Sequence, residues 1–165
     1  MKLFKTTLIA TALVAAGFVG NANAESDETT FEVSITITES CEISATPIEF
    51  GEVVRGVAST ATGTLTVNCS DGTPYTVTLD GGSHLDGTTI TANSRRMANG
   101  TVFVAYGLYS DSNHTTVWGN DTASGVPGSG SGNDEDLTVY ADVTASATNV
   151  ARANYTDTVT ATVTY

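Results

Sequence analysis

The sequence predicts an all-β domain, a two-layer sandwich of immunoglobulin-like type, in an exported chain. Short runs in which apolar and polar residues alternate recur along the 165 residues, separated by turns rich in Gly, Asp and Ser. No segment beyond residue 24 has helical periodicity. Roughly seven short strands fit one sandwich of this length. The cysteines number two, and an even pair is typical of a secreted chain.

Residues 1–24 are expected to be a signal peptide. Lys2 and Lys5 precede an apolar run at residues 8–19, and Ala22 and Ala24 form the small-x-small pattern of a cleavage site. The run is shorter than the about 20 residues that a spanning helix requires, so no direct membrane insertion is predicted. A retained N-terminal anchor is the alternative. Cleavage would leave one domain in the periplasm or at the cell surface.

The charge of the chain argues against a nucleic-acid partner. Loss of Lys2 and Lys5 with the signal peptide would change the formal net charge from −12 to −14. The eighteen Asp and Glu residues would then be opposed only by arginines. Such a surface repels nucleic acid and anionic lipid and keeps the protein in solution.

The predicted strands follow one another along the chain. They are residues 31–41, 48–54, 63–69, 75–79, 95–97, 102–110, 137–145 and 155–165. The glycine-rich, acidic stretch 119–136 is expected to be a mobile surface loop. Cys41 and Cys69 are expected to form a disulfide because the chain is exported, and the loop-entropy model gives this bond about 3–4 kcal/mol.

No motif for catalysis or metal binding is present. The sequence has neither a GxSxG elbow nor an HExxH pair, and both His84 and His114 are expected to be exposed loop residues. The acidic run 134–136 lacks the spacing of a calcium loop and is interpreted as solvated charge. Arg95 and Arg96 are expected to form surface ion pairs. No enzyme activity, metal or cofactor is therefore predicted.

Four aromatic residues are candidates for a sugar-binding surface, but aromatic residues in strands are more often buried. We expect them to be core or half-buried sheet residues. They are Tyr106, Tyr109, Trp118 and Tyr140.

The two ends of the mature chain carry the clearest alternation. One face of the first run consists of Phe31, Val33, Ile35 and Ile37. One face of the last run consists of Val159, Ala161, Val163 and Tyr165, and every residue between them is threonine. Each run thus has one face for a core and one for water. Asp157 continues the inward face of the last run and is expected at its rim.

The first run has two possible partners. Pattern alone favours an ordinary first strand that pairs within its own molecule. The alternative is donation to a second molecule, where burial of four apolar side chains would contribute roughly 6–12 kcal/mol before ordering costs.

A series of motifs runs through nearly all of the mature chain. They are F-x-V-x-I-x-I-x-x-x-C ending at Cys41, Phe50-Gly51, L-x-V-x-C ending at Cys69, residues 75–79 with Gly81-Gly82, Arg96-Met97, residues 106–111, Trp118-Gly119, and Y-T-D-T-V leading into the terminal T-V-T-Y. In order and spacing they resemble the spore coat protein U domain family, whose members include subunits of archaic chaperone–usher pili.

The resemblance implies an incomplete immunoglobulin-like sandwich that lacks its last strand and is completed by a donated strand. Residues 25–40 would be the donor segment, with Phe31, Val33, Ile35 and Ile37 as its inserted side chains. Residues 41–165 would be the pilin-type domain, with no further strand beyond Tyr165. Its acceptor groove would be lined by Val159, Ala161, Val163 and Tyr165, and the Cys41–Cys69 disulfide would keep the unfinished domain closed.

The implied function is that of a structural, non-enzymatic subunit of a surface pilus or coat, exported through the periplasm and supporting adhesion and biofilm formation. Its partners would be neighbouring copies in a head-to-tail polymer, a periplasmic chaperone and an outer-membrane usher. The alternative is an autonomous secreted β-sandwich that binds carbohydrate or another surface ligand, for which Trp118 would be the test residue.

Overall fold

The computed structural model describes residues 25–165, so the signal peptide expected at residues 1–24 lies outside the described residues. The described part consists of strands, turns and loops without a helix. Accordingly, residues 25–165 contain no helix that could cross a membrane. The prediction of an all-β chain is confirmed.

Within residues 25–165, eight strands form two antiparallel sheets. The strands are β1 (Cys41–Ala45), β2 (Ser59–Cys69), β3 (Pro74–Leu79), β4 (Arg95–Asn99), β5 (Val102–Tyr109), β6 (Val126–Ser129), β7 (Asp134–Val143) and β8 (Ala161–Thr164). The five-stranded sheet has the order β1-β2-β7-β5-β4, and the three-stranded sheet has the order β6-β3-β8. The edges of these sheets are therefore β1 and β4 in the first and β6 and β8 in the second.

The core is formed by the inward positions of the central strands. Because side chains alternate along a strand, β2, β3, β5 and β7 each contribute every second residue to it. Its buried members include Leu65, Val67, Val77, Leu79, Tyr106, Leu108, Val139 and Ala141. Trp118 lies among them, and its indole N–H donates a 2.8 Å hydrogen bond to the carbonyl of Val77. The indole is thus both packed and satisfied.

The predicted disulfide is present. Cys41 and Cys69 lie directly opposite each other in the β1–β2 pair and are bonded. We call this end of the sandwich the disulfide end; β3 begins there and β8 finishes there, because Thr76 pairs with Thr164. We call the opposite end, where Ser59 of β2 pairs with Val143 of β7, the far end.

Two local predictions were wrong. Residues 48–54 form no strand, although Ile48 and Phe50 do pack against the core. Gly51 has a positive φ of 68° and turns the chain away there. The predicted mobile loop 119–136 contains β6 and the start of β7. The glycine content predicted a loop, but Gly128 lies in β6 because the ring of Tyr75 packs against its backbone. A Cβ at this position would clash with that ring.

Residues 25–40 form neither strand nor helix. The strand predicted over residues 31–41 is therefore wrong within this chain, apart from Cys41, which begins β1. Phe31, Val33, Ile35 and Ile37 are each 84% exposed. Four large apolar side chains exposed to water together are typical of a surface that binds another protein or a ligand.

Candidate functional site

The last strand is an edge strand with an apolar inner face. Among the described residues β8 pairs only with β3, in the register Thr76 to Thr164, Val77 to Val163 and Leu79 to Ala161. Val159, Ala161 and Val163 are partly buried and pack against the core, whereas the threonines between them are exposed. Tyr165 is 57% exposed. The predicted inward face is therefore observed up to Val163, and its role as an acceptor stays a prediction.

The edge of the other sheet lies beside β8. Cα atoms of β1 come within 8 Å of those of β8, although the two strands are not paired. The line of β1 continues past Ala45, because the N–H of Thr46 donates to the carbonyl of Thr64 at 2.9 Å. Ile48 then packs over Gly63, where a Cβ would clash with it. We call the space between β8 and residues 41–50 the groove.

The start of the last run is held by a buried carboxylate. The side chain of Asp157 is only 3% exposed. Its oxygens accept a 2.7 Å hydrogen bond from the Tyr106 hydroxyl and a 2.9 Å bond from the Ser83 N–H, and His84 Nδ1 lies 3.4 Å away. Asp157 therefore faces inward, as its register predicted, but its side chain is buried, which a position at the rim did not lead us to expect. Burial, with the adjacent Asp157 carboxylate, raises the pKa of Tyr106.

The last run joins both sheets. Thr156 forms a bridge with Ala98 of β4 in the five-stranded sheet, and β8 then pairs with β3 in the other. Between these points, Asp80 Oδ1 accepts the N–H groups of Gly82 and Thr160, both at 2.9 Å. Burial acts to raise the pKa of Asp80, but these backbone hydrogen bonds outweigh it and lower the pKa below its usual value.

Arg95 supports the strand beneath the site, and the sequence analysis did not find it. It was expected in a surface ion pair, but it is fully buried. Its Nε donates to the carbonyl of Asp80 at 2.8 Å, and its Nη2 donates to the carbonyls of Leu79 and Trp118. Burial lowers its pKa, although Tyr106 and two nearby carboxylates oppose this. Arg95 thus holds the end of β3, the strand on which β8 is built.

Arg96 behaves as expected. It forms a 3.3 Å ion pair with Asp86, and its guanidinium lies 4.5 Å from the centre of the Phe103 ring. Two neighbouring arginines therefore differ completely because one points into the sandwich and the other out of it. The sequence carries one signal of this, since adjacent residues of a strand face opposite sides.

The aromatic candidates are buried or, in the case of Tyr140, half-buried, as predicted. Tyr106 and Trp118 belong to the core. Tyr109 and Tyr140 lie on the outer face of the five-stranded sheet with their rings against His114. His114 lies in a loop, as predicted, but it is half-buried against these rings and not exposed.

The acidic run belongs to β7 and its carboxylates are bonded. Asp134 accepts from Asn68, Glu135 accepts from Tyr75 and Asp136 accepts from Thr66, each at 2.8 Å. Burial, with the bond to Glu135, raises the pKa of Tyr75 to about 12. No group of three His, Cys, Asp or Glu residues in the described part of the chain could hold a metal ion.

Comparison with known proteins identifies a family and a relative of this chain. The family model of the Spore Coat Protein U domain matches residues 27–162. Protein U of Myxococcus xanthus is 35% identical over 113 residues, which cover 67% of this chain and 63% of that protein. This chain therefore spans less than two thirds of that relative.

A solved structure shares the fold. It is a chain of the CsuC–CsuE chaperone–tip adhesion subunit pre-assembly complex from the archaic chaperone–usher Csu pili of Acinetobacter baumannii. The TM-score is 0.58 at 20% identity, over 79% of this chain and 40% of that one. With the two sheets described above, the likeness agrees with the predicted incomplete immunoglobulin-like sandwich. From the family match, this chain belongs to the Spore Coat Protein U domain family.

Proposed function

We propose that this chain is a structural subunit of a surface pilus or coat, and that its copies join head to tail by strand donation. One observation carries the proposal. An apolar face of four side chains lies in water at residues 31–37, while the edge strand β8 offers an apolar inner face and lacks a second paired neighbour among the described residues. Family membership supports a pilus or coat subunit.

The energetics favour such a contact. Burial of Phe31, Val33, Ile35 and Ile37 in the groove of another copy would contribute roughly 6–12 kcal/mol before ordering costs. Main-chain hydrogen bonds to β8 would add to this, as in other cases of strand addition. Because each copy donates to the next, the contact does not close on itself and produces a filament.

Direction and register follow from the two ends of the sandwich. The donor segment joins its own domain at Cys41, at the disulfide end. In a head-to-tail filament it must therefore enter the groove of the next copy from that copy's far end. The donor then runs antiparallel to β8. With all inward positions matched, the opposed pairs are Phe31 with Tyr165, Val33 with Val163, Ile35 with Ala161, and Ile37 with Val159. A donor that ran parallel to β8 would instead place both neighbouring copies at the disulfide end of the acceptor.

The groove must widen to accept a strand. Paired strands lie about 4.8 Å apart, so a strand inserted between β8 and β1 needs about 10 Å. Their Cα atoms come within 8 Å in the unoccupied domain. A periplasmic chaperone that lends a strand would hold these edges apart until an outer-membrane usher exchanges it for the donor segment of the next copy.

The remaining proposals follow from this assignment. Residues 1–24 would be the signal peptide, residues 25–40 the donor segment and residues 41–165 the pilin-type domain. The product would be a cell-surface pilus or coat that supports adhesion and biofilm formation, without catalysis. The carbohydrate-binding alternative loses its test residue, because Trp118 is only 1% exposed.

The proposal is tested by the mass of the exported, mature chain on an unboiled denaturing gel, with the chaperone and usher supplied. We expect a ladder of multimers. Ile35→Asp places a charge in the groove and should remove the ladder, because burying an unpaired carboxylate costs several kcal/mol. Thr36→Asp, on the outward face, is the matched control and should keep it. A wild-type monomer, or an unchanged ladder with Ile35→Asp, would contradict strand donation.

A further inference from the structure

The far end carries two exposed valines on an ordered loop. Val54 is 72% exposed and Val57 is 51% exposed. The loop, residues 51–58, is nevertheless fixed, because the N–H of Val57 donates to the carbonyl of Val54 at 3.0 Å. Thr148 Oγ1 donates to the carbonyl of Val57 at 2.9 Å, and Arg55 Nε donates to Asn149 Oδ1 at 2.8 Å. An apolar surface on a fixed support is typical of a contact site.

This loop stands at the mouth of the groove. Residues 46–50 run from β1 along β2 towards the far end, and the loop follows directly. On the opposite side of the groove, Val159 precedes β8 at the same end, where the N–H of Asp80 bonds to the carbonyl of Thr160. A donor strand in the antiparallel register therefore has Ile37 beside the loop.

The donor copy cannot lie far from that point. Only Thr38, Glu39 and Ser40 separate Ile37 from Cys41. Four extended residue steps span at most about 14 Å. Cys41 is bonded to Cys69, so the disulfide end of the donor copy as a whole is held against the far end of the acceptor.

Each of the two ends carries an apolar surface and charged groups beside it. Beside the disulfide end is an apolar hollow of about 350 Å³, lined by Pro74, Tyr75, Thr76, Pro127, Gly128, Thr164 and Tyr165. Asp71, in the turn between β2 and β3, and Asp134, at the start of β7, are exposed at the same end of the sandwich. At the far end, loop 51–58 carries the two valines, Arg55 and one carboxylate, that of Glu52. Arg152, three residues after Asn149, is also exposed.

We propose that loop 51–58 is a second contact between adjacent copies, on which the disulfide end of the donor copy packs. This rests on the proposed strand donation and adds to it a surface that fixes the angle between neighbours. Val54 and Val57 contact the apolar hollow, and Arg55 faces the carboxylates of that end. The partner is a second copy of this chain.

Photo-crosslinking of the assembled, full-length protein tests this proposal. A photoreactive amino acid replaces Val54, and a matched control replaces Thr62, which is exposed on the outer face of β2. We expect position 54 to crosslink to peptides 70–76 or 127–134 of another copy, and position 62 not to do so. The double variant Val54→Asp and Val57→Asp, probed instead from position 74, should lose the crosslink while its gel ladder remains.

The outcomes separate the two proposals. A normal ladder in which position 54 crosslinks elsewhere, or no more than position 62, overturns the loop contact and leaves strand donation standing. The absence of a ladder in the wild-type chain overturns both. A crosslink from position 74 that survives the double variant overturns the role of the valines.

Discussion

The two alternating runs of this chain have nearly the same pattern and opposite environments. In residues 31–37 the four apolar side chains are each 84% exposed, whereas in the last run Val159, Ala161 and Val163 pack against the core. The difference lies in polar groups at the start of the last run. Asp157 is held by Tyr106 and Ser83, and Thr160 is held by Asp80. Alternation defines a face, but fixed hydrogen bonds decide which sheet the face joins.

The largest expected effect comes from Arg95, which supports the strand beneath β8. Arg95→Met should lower the free energy of unfolding by about 3–5 kcal/mol, because three carbonyls, those of Leu79, Asp80 and Trp118, lose their donor at a cost of about 1–3 kcal/mol each where they stay buried. Urea unfolding measures this in the Ile35→Asp background, which the proposed strand donation requires to stay monomeric. Arg96→Met, at the surface, should cost less than about 1 kcal/mol. Equal costs for the two variants would contradict the role of Arg95.

Removal of the disulfide, which lies where the first run joins the domain, tests how much this bond stabilises the domain. In the same background, Cys41→Ala with Cys69→Ala should lower the free energy of unfolding by about 3–4 kcal/mol, since the bond closes a loop with a sequence separation of 28. Added reductant should destabilise the parent chain and leave the double variant unchanged. A parent chain insensitive to reductant in urea would contradict the prediction.

Aspartate substitutions in the first and last runs test directly whether only the last run is packed against the core. In the Ile35→Asp background, Val163→Asp should cost a further roughly 2–3 kcal/mol, because the carboxylate would face the core. Thr162→Asp, on the exposed face of β8, should stay within about 0.5 kcal/mol. A Ser34→Asp change in the first run should be equally silent. If Val163→Asp were also silent, β8 would not be packed as described.

The smallest effect is the pH dependence of the Asp80 contact. Hydrogen bonds lower the pKa of Asp80 in the folded state, so its carboxylate stabilises the fold above the unfolded-state pKa of about 3.9. That contribution is lost as the pH falls through the folded-state pKa. The stability difference between the parent and Asp80→Asn should therefore shrink when unfolding is measured at pH values from about 7 down to about 3. A constant difference would contradict this.

Local pattern was sufficient for much of the fold. The all-β class and the inward faces of β2, β3, β5 and β7 follow from alternation, which depends only on the geometry of an extended chain. The disulfide followed from the export context. The apolar faces of the first and last runs were also readable, and their roles as donor and acceptor stay proposals.

Other features depended on distant partners. Residues 48–54 alternate like a strand but leave the sheet at Gly51, and the glycine-rich stretch that resembled a loop contains β6 because Gly128 lets Tyr75 approach. Alternation indicates that Arg95 and Arg96 face opposite sides of β4, but it does not show what surrounds the inward one. The carbonyls that hold Arg95 are supplied by residues remote in the chain.

The sequence by itself determined which side of each strand is apolar, because that depends on a repeat of two residues along an extended backbone. Only the tertiary structure decided which strand each side meets, because hydrogen bonding and close packing join residues that are far apart in the chain. The first run shows this limit most clearly. Its four apolar side chains specify that a core is needed, and the folded domain leaves all four exposed.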